Sequence, residues 1–204
     1  MARPRTFDAD AALDAALRVF WARGYRGASL EELTSVSGGS RPSLYAAFGD
    51  KQGLFHAALE RYEERFVAPT LAALDDEPNG RTAVRAFLVA SAERFTDPDQ
   101  PPGCLIAAHA AGLEEEPGES DEAAQRAIAA ADARLYDRLR DRLIRAKSDG
   151  DLPAGEPPRP LADLYHGVRC ALSTQARLGR SERALRAVID AALRSWPAPA
   201  VPPR

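Results

Sequence analysis

Cysteine is scarce in this chain: two in 204 residues, Cys104 and Cys170, far apart and without a CxxC or Cys/His spacing. That argues against both a disulfide framework and a structural zinc site, and leaves reduced thiols as the expectation. Long apolar runs are missing as well. The longest uncharged stretch, Gln100 to Leu113, falls well short of the ~18–20 apolar residues that a membrane span requires, so no membrane partner is expected. The N-terminus reads Met-Ala-Arg-Pro-Arg and then becomes amphipathic, without the apolar core and cleavage site of a secretory signal; a cytoplasmic protein is expected. A basic excess is absent too. With a net charge of −3 the chain is unsuited to coating nucleic acid nonspecifically, and any DNA contact must be local. No sustained period-2 alternation of β-branched residues occurs, whereas apolar residues recur at three and four. The expected fold is therefore all-α, with no cofactor and no metal.

What is present is the balance of an ordinary globular protein, 45% hydrophobic and 28% charged. The first helix is expected from Asp8 or Asp10 to Gly24, with Leu13, Leu17, Phe20 and Trp21 on one face. Ser29, with Glu32 three residues on, forms a capping box for a short second helix burying Leu33 and Val36. Ser37, Gly38 and Gly39 make a tight turn. Ser40 caps a third helix that tolerates Pro42 in its first turn, turns Leu44 and Phe48 inward and ends at Gly49. A longer fourth helix opens at Asp50 and stops at Pro69. Further helices are expected over Thr82–Phe95, Cys104–Leu113, Asp121–Lys147, Leu161–Leu178 and Ser181–Trp196, with a Pro/Gly-rich loop from Ser148 to Pro160 and a disordered tail over 197–204.

The stretch Ser29–Phe48 carries the chemistry. Two short capped helices around a glycine turn form the bihelical unit that sets one helix into a major groove. The outward face of the third helix offers Arg41, Ser43, Tyr45 and Ala46, and from Thr34 to Gly49 the sole charge is Arg41. A B-DNA major groove is ~12 Å wide, so short side chains at the helix N-terminus let the backbone approach, and Arg41 can reach guanine N7 and O6. Lys51 stands at the start of a helix whose free N–H groups attract anions. Arg3 and Arg5 flank a proline, as an extended minor-groove arm requires; the bland alternative is a solvated terminus.

The run GYRGASLEELTSVSGGSRPSLYAAFGDKQGLF resembles the N-terminal signature of TetR/AcrR repressors, specifically over residues 5–66. By that resemblance Ser29, Tyr45 and Lys51 would grip phosphates, Tyr25 would brace that contact, and Arg41, Pro42 and Ser43 would face bases. Two positions depart from the family pattern: Gly39, where a small apolar residue is usual and whose absence loosens the packing of the two motif helices, and Ala47, where many members have His. The resemblance implies a DNA-binding domain over residues 1–50 with its arm at 1–7, and a connecting helix plus effector-binding and dimerisation domain over 51–196. It also implies a homodimer on a palindromic operator, usually repressing and released by a small molecule.

For the dimer interface the candidates are Leu161, Leu164, Val168 and Leu172 on one helix and Leu185, Val188, Ile189 and Leu193 on the next; each stripe could equally be intrachain core. The pocket candidates are polar tips and large rings on apolar faces: Phe66, Phe87, Phe95, Cys104, His109, Tyr136, Tyr165, His166 and Arg169. They suggest an apolar effector with one polar handle. An enzyme would need a nucleophile with an oriented base, and the sole chance constellation is Cys104 with His109 or His166; five helical residues put Cys104 and His109 about 140° apart. An alternative on the same scaffold is a thiol-, electrophile- or metal-responsive regulator using Cys104.

Overall fold

The structure, a computed structural model, describes residues 7–110 and 119–197. Arg3, Arg5 and the tail beyond 197 lie outside the described residues. Within them the chain is helical, without strands: α1 Ala9–Gly27, α2 Leu30–Val36, α3 Arg41–Phe48, α4 Lys51–Tyr62, α5 Ala68–Asp76, α6 Gly80–Phe95, α7 Leu105–Ala110, α8 Glu119–Ser148, α9 Pro158–Arg177 and α10 Glu182–Ala192.

Capping sets most of the boundaries. The first helix is capped by Asp8, whose carboxylate accepts from the Ala11 N–H at 3.1 Å. Ser29, Ser40, Asp50 and Ser181 cap α2, α3, α4 and α10 in the same way. The expected stop of α1 at Gly24 takes the form of a break within it. Gly24 has φ +80°, ψ 170°, and the chain then makes one more turn to Gly27; only glycine enters that region without strain.

The fourth helix differs from expectation more. It does not stop at Pro69 but passes through a π turn, Glu63–Val67, into α5. Proline lacks an N–H and its ring strikes the carbonyl four residues back. A π turn just upstream widens the spiral, and the Ala68 N–H bonds to the Glu63 carbonyl, five back. The proline is thereby absorbed rather than terminal.

The N-terminal unit closes over Phe20, Leu33, Leu44, Leu54 and Phe55, all at or below 1% exposure. Val36, expected inside, is 43% exposed, because a seven-residue helix has one inward row and Leu33 occupies it. Trp21 on α1 ties this unit to the bundle by donating its indole N–H to the Gly103 carbonyl at 3.1 Å. Phe87, Leu88, Leu105, Leu139, Leu172 and Ile189 continue the core through α6–α10.

Candidate nucleic-acid interface and the bundle behind it

The α2–α3 unit exposes Arg41, Pro42 and Ala46 and half-exposes Ser43 and Tyr45, while Leu44 is buried. One row of α3 anchors the helix and the others face out. The Arg41 guanidinium lies 5.1 Å from the Tyr45 ring centre and donates to the Tyr45 hydroxyl at 3.2 Å, so the two polar tips lie side by side. Ser40 Oγ accepts from the Ser43 N–H at 3.3 Å and sits 2.9 Å from Ser43 Oγ. Ser29 Oγ accepts from the Glu32 N–H at 3.1 Å, leaving its own hydroxyl proton to offer.

Behind this face Tyr25 is buried and edge-on to Phe55 at 5.1 Å. Lys51 Nζ rests 4.5 Å from the Tyr25 ring centre. Burial lowers the Lys51 pKa, against which the charge of Asp121 works to raise it. The Tyr25 ring thus packs beneath the Lys51 side chain. Asp50, the N-cap of α4, accepts from the Gly53 N–H at 2.8 Å, so the start of that helix carries an acid of its own beside Lys51.

Gly39 has a neighbour that the sequence reading did not assign. A Cβ there would stand 2.5 and 2.8 Å from two ring carbons of Phe7. The missing side chain makes the seat for that aromatic residue.

The pocket candidates divide into four places. Cys104, 0% exposed, accepts at Sγ from the Tyr62 hydroxyl and from Arg169 Nη2, each at 3.3 Å. Arg169 lies over Phe95 at 5.4 Å and Phe87 at 6.0 Å, and no carboxylate pairs with it among the described residues. Burial pushes the Tyr62 hydroxyl well above its ordinary pKa. The expected purely apolar setting of Cys104 is therefore wrong, since α9 brings a guanidinium to it from 65 residues away. Phe66 borders this cluster, 5.0 Å from Trp21 and 5.4 Å from Tyr62. Tyr165 belongs elsewhere, buried against Trp196 at 6.0 Å.

The third place joins α8 to α9. His166 Nε2 lies 3.3 Å from Asp132 Oδ2 and 3.8 Å from Cys170 Sγ, and the Tyr136 ring meets the imidazole edge-on at 5.7 Å. The Asp132 and Cys170 contacts, opposed by burial, raise the His166 pKa to about 9. Burial works to raise Asp132, but the hydrogen bond and charge of His166 outweigh it and hold the carboxyl below its ordinary value. Sequence reasoning missed Asp132 and Cys170. Their signal was the i, i+4 spacing of Asp132 with Tyr136 and of His166 with Cys170. The cluster is not a catalytic relay: there the acid orients one imidazole nitrogen and the nucleophile faces the other, whereas both groups here fall on Nε2.

His109, on α7, sits between the halves. Nδ1 lies 2.5 Å from the Leu105 carbonyl, Nε2 is 3.1 Å from where a Gly24 Cβ would stand, and burial lowers its pKa.

Of the dimer candidates, Leu161, Leu172, Leu185, Ile189 and Leu193 are buried within the chain itself, so the core reading of those residues holds in the single chain. Leu164, at 42% exposure, and the half-buried Val168 and Val188 remain accessible. They continue into exposed Gly167 and Ala171 on α9 and Ala187 and Ala191 on α10. No helix among the described residues is long and apolar enough to cross a membrane, and no group of three or more metal-ligating side chains is found among them.

The comparisons agree with this geometry. Residues 12–58 match the family model "Bacterial regulatory proteins, tetR family" and residues 80–192 match "Tetracyclin repressor-like, C-terminal domain". The chain is 34% identical to the HTH-type transcriptional repressor ComR of Escherichia coli (strain K12), covering 96% of this chain and 91% of that one. It is 31% identical to the HTH-type transcriptional repressor BdcR of the same organism, covering 88% and 84%. A cysteine mutant of the TetR family transcriptional regulator CifR, solved with 26-base-pair double-strand operator DNA, superposes with a TM-score of 0.88 at 41% identity, covering 96% of this chain and all of that one. Helix-turn-helix geometry, both family models and relatives spanning nearly the whole chain together place this protein in the TetR family of bacterial transcriptional regulators.

Proposed function

We propose that this regulator is a homodimeric, cytoplasmic repressor that reads a palindromic operator through α3 and leaves it when a small molecule occupies the bundle. The carrying observation is the outward face of α3, exposed, capped at Ser40 and free of acid. Arg41, Pro42 and Ser43 face bases; Ser29, Tyr45 and Lys51 hold phosphates; Tyr25 supports Lys51; Arg3 and Arg5 extend into the minor groove. Residues 1–50 thus read DNA, and residues 51–196 receive the signal and dimerise. Two relatives that span most of this chain are named repressors, and the CifR complex contains operator DNA.

The accessible α9–α10 face, built on Leu164, Val168, Ala171 and Val188, supports a four-helix contact between two copies. For release the effector must favour a state whose two α3 helices no longer match successive grooves. Cys104 does not serve as the input in this reading, because a thiol with no exposed surface and three hydrogen-bond donors at Sγ offers an electrophile no approach. The test is reciprocity: operator DNA must weaken effector binding by the factor by which effector weakens operator binding. A calorimetric titration with equal effector affinity with and without operator refutes release by this route.

A further inference from the structure

Arg41 and Tyr45 stand four residues apart on α3, the spacing that puts two side chains on one face of a helix. Arg41 Nη2 donates to the Tyr45 hydroxyl at 3.2 Å, and the guanidinium carbon lies 5.1 Å from the ring centre. The arginine is thus held along its own helix before any DNA arrives. No carboxylate between Thr34 and Gly49 competes for it.

Proton counting limits what the pair can do next. A tyrosine hydroxyl has one hydrogen to give and lone pairs to receive with, whereas a guanidinium only gives. The Tyr45 oxygen accepts from Arg41, so its own hydrogen points to an acceptor elsewhere. At a DNA surface that acceptor is a phosphate oxygen. Arg41 has five N–H groups; one is spent on Tyr45, and a bidentate guanine contact takes two of the others. The bonds then run in one chain, from Arg41 to the Tyr45 hydroxyl to the phosphate, in which each polarises the next.

We infer that Tyr45 is a positioning residue for base reading as well as a phosphate grip, its hydroxyl holding the Arg41 guanidinium in the pose that meets guanine. This rests on the placement of Arg41 at a base and Tyr45 at a phosphate proposed above, and adds a coupling between them. The coupling has its own signature. A hydroxyl that only gripped phosphate would tighten every duplex by one factor and leave base preference untouched. A side chain held in its bound pose loses less freedom on binding, and with guanine replaced Arg41 has no base contact to gain however it is held. The benefit of holding it therefore appears on the matching duplex alone.

The experiment measures the full chain by fluorescence anisotropy on two duplexes. One is the inverted repeat that the wild type enriches from a randomised pool. The other has the base pair that Arg41→Ala ceases to specify replaced in both halves. The wild type should prefer the first by at least about tenfold. Tyr45→Phe keeps the ring under the guanidinium and removes the hydroxyl. It should weaken both duplexes and cut the preference at least about threefold, with the helical circular dichroism unchanged. Lys51 rests on Tyr25 rather than on Arg41, so Lys51→Ala should weaken both duplexes and keep the preference. A preference unchanged in Tyr45→Phe, or cut as far by Lys51→Ala, would overturn the inference. The underlying reading fails separately: Arg41→Ala that still enriches the full wild-type site refutes base reading by Arg41 and takes the inference with it, whereas loss of one base in Arg41→Ala with the preference intact in Tyr45→Phe refutes the coupling alone.

Discussion

Adding a methyl group at Gly39 tests the link between the turn and the arm. A Cβ would meet Phe7 Cδ2 at 2.5 Å and Cε2 at 2.8 Å, whereas carbon atoms rest at ~3.5–4.0 Å. The ring must therefore retreat by roughly 1 Å, and Phe7 is half-buried at the start of α1, the end that gives way most easily. Fully burying a phenylalanine is worth ~1.5–3 kcal/mol, so unseating a half-buried one costs about 1–1.5 kcal/mol. Against this, replacing glycine by alanine restricts the unfolded chain and stabilises by ~0.4–1 kcal/mol where the backbone permits. Gly39 is not in the left-handed region, so it does. Gly39→Ala should destabilise by about 0.5 kcal/mol, and the same change in a Phe7→Ala background should stabilise by ~0.4–1 kcal/mol. The cycle thus predicts a coupling near 1–1.5 kcal/mol between the two positions, read from urea unfolding of all four proteins. Gly39→Ala stabilising both backgrounds equally would refute the packing argument.

Other consequences follow from the same contacts. Arg41→Ala should relax preference at one base position and cost ~1–3 kcal/mol, whereas Tyr45→Ala or Lys51→Ala should weaken all sequences, and Lys51→Ala alone, which removes a cation, should also lower the salt slope of binding by about 1; gel shifts over a salt series separate them. Val188→Glu should place a charge in the α9–α10 contact at a cost of several kcal/mol and yield monomers in sedimentation, and a folded variant that stays dimeric moves the interface elsewhere. Since His166 is raised from 6.5 to about 9 in the folded chain, its contribution to stability is full below about 6.5 and lost as pH rises through about 9; Asp132→Asn should remove that part of the pH dependence in thermal melts. Cys104→Ser should keep both operator binding and small-molecule release, and release of wild type alone by a quinone would make the thiol an input.

The helix starts were legible because a capping side chain acts within three residues of itself, as Asp8, Ser29 and Ser40 do. The outward face of α3 was legible for a similar local reason: the helix is short and its exposed row follows from Leu44 pointing in. The π turn was hidden, since proline signals a stop and nothing nearby shows that a widened spiral can absorb it. Pocket chemistry was hidden more deeply. Arg169 meets Cys104 and His166 meets Asp132 only after α8 and α9 dock, and neither partner lies within reach along the chain. The dimer stripes stayed ambiguous because apolar periodicity marks burial without saying whether the same chain or a second copy supplies it; Leu185 and Ile189 bury against their own bundle.

The central claim is that α3 reads a symmetric DNA site, and selection of bound duplexes from a randomised pool tests it without an operator known in advance. The wild-type chain should enrich an inverted repeat with half-site centres about one helical turn, ~34 Å, or a multiple of it apart, and Arg41→Ala should enrich a repeat degenerate at one position in each half. Enrichment of no symmetric site, or of the same fully specified site by Arg41→Ala, would contradict the account.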